Sequence, residues 1–358
     1  MLTYLLPVRG LTTDLEVSLR IGPVELIDAN QARGAFAGAM DGRNLPEVLE
    51  ARAEEFAADL GNRVVARVEA QVREDAVDLA ESALDVLRAY LDTRATSEMA
   101  SFGLRTGVLG GHVEYAELQT GALGGFRIGH FTGVGLTRDS VDGFDSSPFS
   151  VVAGAALGAT DATQAQRRAL IATKLASLAL ISHDPSIRTV HAMTAAEVLL
   201  FGANEKFKTY ELARRASFLL CGHDDGKLCG RGRDSCVVIT TDAQTRSGLD
   251  ELVKIRKLGD ADYRWRCSEW HHVLDWYSAR SKVVHDGETM ERKGARQLVF
   301  WLTHRFLPAA LQWFADHPDD PNGALVAALG ELPEAPVEQC EYKNRYLELA
   351  SRGVFNID

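Results

Sequence analysis

Tyr277-Ser278-Ala279-Arg280-Ser281-Lys282-Val283-Val284-His285-Asp286-Gly287 closes an amphipathic helix, and the reading of the C-terminal half follows from it. Walking back, Trp270, Val273, Leu274, Tyr277, Ser281 and Val284 follow the i, i+3, i+4, i+7 spacing of one helical stripe. Gly287 stands where a left-handed residue would end the helix. At about 100° per residue, Arg280 falls on one flank of the stripe and His285 on the other. A single helix therefore does not turn both side chains toward one phosphate. Two such helices meeting along the stripe would pool two Arg and two His.

Spacing alone carries little, because chance supplies about one Arg-x4-His in a chain of this composition. The chain holds two, since Arg266 and His271 also fit. Context separates them. Tyr277-x2-Arg280-Ser281-x3-His285-x-Gly287 at a helix end resembles the signature of HEPN domains, in particular the ApeA-like branch. Ala195-Ala196-Glu197-Val198-Leu199-Leu200 is similar to that branch's "ALE-x-L" helix. The run 212–220, Leu-Ala-Arg-Arg-Ala-Ser-Phe-Leu-Leu, is similar to its "R-x-A-x-LL" helix. The resemblance covers roughly residues 165–316 and implies an all-α HEPN helical bundle there, with Arg280 and His285 as the catalytic pair and Ser281 at the polar position after the arginine.

Those residue types suit metal-independent RNA cleavage. The chemistry needs a base for the 2′-hydroxyl proton, an acid for the leaving 5′-oxygen and a fixed positive charge on the phosphate. Histidine serves as base or acid near neutrality. Arginine stays charged and presents a fork to phosphate oxygens. A helix C-terminus favours a protonated imidazole, which suits a proton donor. Glu197 either orients Arg280 or pairs with Arg215 beneath the site; an ordinary interhelical ion pair is the plain alternative. Tyr277, one turn before Arg280, supports the guanidinium or simply fills core.

Composition sets the bounds. A chain of 358 residues buries a large core and forms two domains. The hydrophobic share of 46% and charged share of 25% are those of a globular protein. No apolar run reaches the roughly 20 residues of a spanning helix, and the start, Met1-Leu2-Thr3-Tyr4-Leu5-Leu6-Pro7, lacks the basic n-region of a signal peptide. The expectation is a cytoplasmic protein with no membrane contact. A net charge of −11 argues against a protein that coats nucleic acid. Residues 1–100 account for −8 of it, whereas 250–296 hold ten Lys/Arg against nine acids. Any RNA groove must therefore be local.

In chain order, residues 1–30 read as short alternating strands and 46–93 as helix. Residues 101–135 carry ten of the 31 glycines and read as a meander with tight turns. The run 139–150, rich in Asp and Ser, reads as a domain connector or exposed loop. Helices follow at about 163–182, 186–202, 205–221, 246–258, 268–285, 289–316 and 340–351, with Pro308 expected to kink the sixth. The fold class is α+β: a mixed N-terminal domain at 1–160, which senses, regulates or binds a partner, and the helical domain at 161–358.

Five cysteines, an odd and sparse set, do not read as a disulfide framework. Cys221-x-His223-x5-Cys229-x6-Cys236 supplies enough ligands for a structural zinc, without the paired Cys-x2-Cys spacing of a knuckle. A Gly-rich charged loop is the plain alternative. His271-His272 beside Trp270 and Trp276 resemble a base-stacking surface, although adjacent histidines point to different faces of a helix.

The resemblance implies an endoribonuclease that needs no cofactor, takes RNA as substrate and works as a homodimer through its HEPN helices. It also implies a toxin or effector of anti-phage or abortive-infection systems, with an antitoxin or defence protein as partner. The rival is a non-catalytic HEPN scaffold in such a complex. Retention of both Arg280 and His285 favours the enzyme; the acidic first 100 residues favour a protein partner.

Overall fold

The computed structural model describes residues 2–13, 18–40, 63–94, 105–106, 113–117, 122–126, 134–201, 208–221 and 268–330. The chain divides into two compact units, Met1–Thr163 and Gln164–Asp358. Among the described residues, strands and helices occupy the first and helices the second, so the fold is α+β.

The first unit is built on a sheet of strands β1 (Leu2–Thr12), β2 (Ser18–Ile21), β3 (Val24–Ile27), β4 (Arg63–Ala70), β5 (Arg105–Thr106) and β8 (Val134–Gly135), in the order β2-β3-β4-β1-β5. Neighbours along that order run antiparallel, and β8 joins β1 in parallel. Strands β6 (Val113–Glu117) and β7 (Ala122–Phe126) form a separate antiparallel pair. Helices α1 (Ala29–Met40) and α2 (Arg73–Arg94) follow β3 and β4.

Reading 46–93 as helix is overturned at Arg63–Ala70. That segment is a strand paired with both β3 and β1. Its residues run Arg-Val-Val-Ala-Arg-Val-Glu-Ala, and from Ala66 the exposure alternates with the pleat. β-Branched valines fill its buried face, a preference that tertiary packing realises. Within the same stretch, Arg73–Arg94 is helical. It packs on β4, with Ala76, Ala80, Ala83, Leu84 and Leu87 fully buried.

The run 139–150 is likewise not a connector. It forms α3 (Arg138–Asp145) and part of α4 (Pro148–Ala156). Thr137 and Ser147 cap these helices by accepting from the N–H groups of Ser140 and Ser150, and Pro148 opens the second. Phe144 and Phe149 drive the segment into the core, where they meet Tyr90 edge-on at 5.2 and 5.9 Å.

Gly22 turns the chain between β2 and β3. It takes φ +58°, and a Cβ there would meet the carbonyl oxygen of Ala153 at 2.9 Å. Left-handed strain and this clash act together, so Gly22→Ala is expected to cost about 2 kcal/mol or more. Chemical denaturation of the full chain measures it, and an unchanged midpoint would refute the tight packing of this turn.

Among the described residues, the second unit contains α5 (Gln164–Ile181), α6 (Pro185–Leu200), α7 (Lys208–Cys221), α8 (Ser268–Asp286), α9 (Arg292–Trp301), a π-helical turn (Leu302–Phe306), α10 (Leu307–Asp316) and α11 (Pro321–Gly330). The helices expected at 246–258 and 340–351 lie outside the described residues. α5 and α6 form a hairpin whose core is lined by small residues, among them Ala169, Ala172, Ala176, Ala192, Ala195 and Ala196. Asp184 caps α6 through the N–H groups of Ser186 and Ile187, and Pro185 opens it. Two arginines close the other end. Arg168 Nε donates to the Val198 carbonyl at 2.8 Å, and buried Arg215 donates through Nη1 to that of Leu200. They satisfy carbonyls a helix terminus leaves open and place positive charge at the negative pole.

Pro308 acts in a specific way. The Leu307 N–H reaches back five residues to Leu302, widening the turn just before the proline, which has no N–H to give. The predicted helix 289–316 is thus a helix, a π turn and a second helix.

Candidate functional site

Helix α8 packs against α7 and α6. Val273 and Leu274, early in its stripe, are buried; Tyr277 and Ser281 are partly buried, and Val284 is 48% exposed. The stripe therefore leaves the core as it approaches the helix end. Gly287 takes φ +68°, as a terminating residue should, and the Glu288 N–H bonds back to the Lys282 carbonyl at 3.3 Å.

Arg280 turns toward α6. Its Nη2 lies 3.8 Å from Glu197 Oε1, and its Cζ sits 5.8 Å from the centre of the Tyr277 ring. Both members of the ion pair are largely shielded, with side chains 20% and 13% exposed. The separation is too long for a hydrogen bond. Arg280 Nε and Glu197 Oε1 are buried atoms with no hydrogen-bond partner. The guanidinium is thus held by charge and by the ring, with donor capacity in reserve.

Of the two partners weighed for Glu197, the structure places it with Arg280. Arg215 instead bonds Leu200, lies 3.9 Å from Glu211 and stands over the Phe201 ring at 5.3 Å. Its work is to terminate α6 and bind α7 to it.

His285 occupies the last turn of α8 and is exposed. It lies five positions after Arg280, about 140° around the axis and about 7.5 Å along it. One chain therefore brings Arg280, Glu197 and Tyr277 together and turns His285 elsewhere.

His272, exposed, stacks on Trp276 at 5.4 Å; Trp276 meets Trp301 at 5.1 Å, and Trp301 stacks on Phe306 at 4.9 Å. This ladder of rings runs from surface to core and ties α8 to α9 and the π turn. Of the second Arg-x4-His pair, Arg266 and the side chain of His271 lie outside the described residues. So do His223, Cys229 and Cys236; Cys221 ends α7. Among the described residues, no three His, Cys, Asp or Glu gather as a metal site, and no helix is long and apolar enough to cross a membrane.

Two features escaped the sequence reading. His191, on α6, has a buried Nδ1 without a hydrogen-bond partner. The ring of Phe300 stacks on His304 at 4.1 Å beside a run of cations on α9. The four-residue spacing of Arg292, Arg296, Phe300 and His304 was the available signal for the second. Comparison of the chain with known protein families, with curated proteins and with solved structures finds no match.

Proposed function

We propose that the chain is a metal-independent endoribonuclease of the HEPN type, with the helices of residues 161–358 as its catalytic bundle. One observation carries the reading: Arg280 is fixed by Glu197 and Tyr277 on the helix that ends in exposed His285. A guanidinium with unused donors beside a carboxylate that orients it is suited to a phosphodiester oxygen. A phosphate oxygen accepting from Arg280 Nε would satisfy a buried donor that has no partner in the fold.

The chemistry then runs in one displacement. The 2′-hydroxyl loses its proton to a base, and its oxygen bonds to phosphorus. The bond to the 5′-oxygen breaks, and that oxygen takes a proton. The products are a 2′,3′-cyclic phosphate and a 5′-hydroxyl. His285 supplies one of the proton transfers, and Arg280 steadies the charge on the phosphorane-like oxygens. Ser281, partly buried next to Arg280, contributes a hydroxyl at the edge of the site. A two-fold dimer along α8 joins Arg280 of one protomer with His285 of its partner. A role as toxin or effector in anti-phage defence comes from the sequence resemblance alone.

Purified protein incubated with total RNA is expected to yield fragments ending in 2′,3′-cyclic phosphate at the same rate with and without excess EDTA. Arg and His supply the charge and the proton transfers that a metal would otherwise supply. Loss of cleavage on chelation, with the circular dichroism unchanged, would replace this mechanism with a metal-dependent one.

The scaffold reading draws on a different observation. Glu197 already neutralises Arg280, and residues 1–100 carry a net −8, which suits a protein partner. Absence of RNA cleavage across a wide RNA panel would favour it.

A further inference from the structure

Beyond α8, the exposed side of α9 carries Arg292, Lys293, Arg296, Gln297 and Phe300, and the helix contains no Asp or Glu. Arg292, Arg296 and Phe300 recur every four residues, so they drift only about 40° per step and form one ridge about 12 Å long. The π turn carries the ridge on to His304, whose ring lies 20° from parallel with Phe300. Phe300 is 45% exposed, a large ring left facing water while its neighbour holds it flat.

Parts of this arrangement work against the fold. Arg292 and Lys293 stand in the first turn of α9, where the helix dipole favours acids, and Glu291 makes no side-chain cap there. Arg188 of α6 is fixed by Nε and Nη2 on the Ser182 carbonyl at 3.1 and 2.7 Å. Burial and then the charge of nearby Arg296 lower its pKa from the ordinary arginine value. Arg296 thus lies within electrostatic reach of Arg188 where α6 packs on α9. A polyanion supplies the negative charge that the first turn of α9 lacks. In the chain the ridge follows the proposed site closely: the loop from Gly287 to Glu291 links the end of α8, with His285, to Arg292. The Met290 N–H pins that loop to Ser186 Oγ of α6 at 3.2 Å.

We propose that the ridge of Arg292, Lys293, Arg296 and Phe300, backed by His304, is a track for single-stranded RNA. Its cations hold successive phosphates, and one base stacks on the face of Phe300 turned away from His304. This rests on the RNA reading above and adds where the strand runs as it leaves the site. An extended strand fits better than a duplex, because a stacking ring needs an unpaired base and every base offers a π face.

Binding is measured apart from cleavage, by fluorescence anisotropy on full-length His285→Ala protein, with a labelled mixed-sequence RNA strand and an RNA duplex of equal length. The R292A/K293A/R296A protein is expected to bind the strand at least tenfold more weakly. Its log affinity should fall less steeply with log salt, by about 2, because three phosphates go unneutralised. Phe300→Ala is expected to weaken the strand about tenfold and the duplex less than twofold. R292K/R296K, which keeps the charge, should bind within about threefold of its parent. Parent-like binding by the triple variant overturns the track. Binding of polyglutamate as tight as RNA, with the same dependence on the ridge, overturns it in favour of an acidic protein partner. Strand binding that depends on the ridge, in a protein that never cleaves RNA, retires the nuclease and leaves the track standing.

Discussion

His285→Ala and Arg280→Ala proteins are expected to cleave RNA at less than about a thousandth of the parent rate. A positioned acid or base contributes roughly 10²–10⁴-fold, and a preorganised charge on the reacting phosphate a comparable factor. The two variants should differ in stability. His285 is exposed on the last turn of α8, so its loss should leave the melting temperature nearly unchanged. Removal of Arg280 strands Glu197, whose side chain is only 13% exposed, and should cost about 1–3 kcal/mol after allowance for solvent screening. Truncating Glu197 as well should return much of that stability without returning cleavage. This separates the arginine's part in the fold from its part in the reaction. Parent-like cleavage by His285→Ala would sink the assignment outright.

Splitting the two-fold dimer should silence the enzyme as completely as removing the histidine. Within one chain, Arg280 faces Glu197 on α6, and His285 leaves the helix about 140° further round. An isologous contact sets each flank of α8 against its symmetry mate and brings the two side chains to one cleft. Val284 lies between those flanks in sequence and is 48% exposed, as a residue covered by a second copy would be in an isolated chain. Val284→Glu therefore disturbs no core. It is expected to convert dimer to monomer in light scattering and to lower cleavage at least a hundredfold. Mixing Arg280→Ala with His285→Ala protein should restore a measurable fraction of activity, because one site of the mixed dimer draws both intact residues from different chains. A Val284→Glu monomer with full activity would show that a single chain suffices.

Local signals in the sequence were legible where they were also decisive. Asp184-Pro185 both caps and opens α6, and Gly287 can take the φ of +68° that ends α8. The strand Arg63–Ala70 was not legible, because a run of valine and alanine between helical stretches fits either period until two neighbouring strands claim its edges. At 139–150 the same Ser and Asp that mark loops also mark helix starts. Only the burial of Phe144 and Phe149 shows which role they play. Within the site, Glu197 had two arginines within plausible reach in sequence. The choice of Arg280 depends on how α8 lies against α6, and spacing along one helix does not encode that. The ridge on α9 went unread for a similar reason: exposure decides whether a basic and aromatic run is a surface, and exposure is a property of the packed bundle.

The π turn at Leu302–Phe306 bears on how this chain can change over time. A π turn holds one residue more than the α-helical turn it replaces. Here the extra residue directly precedes a proline that would press on the carbonyl four residues back in an ordinary helix. The proline therefore depends on the wide turn. A lineage that deletes one residue from this turn rewinds the helix onto Pro308, whereas one that first replaces Pro308 makes the extra residue dispensable. The first order passes through an intermediate destabilised by about 3 kcal/mol, and the second avoids it. Relatives of this chain should accordingly lack both features together, keep both, or retain the wide turn without the proline. A proline at this position in a chain one residue shorter is the combination that should not occur.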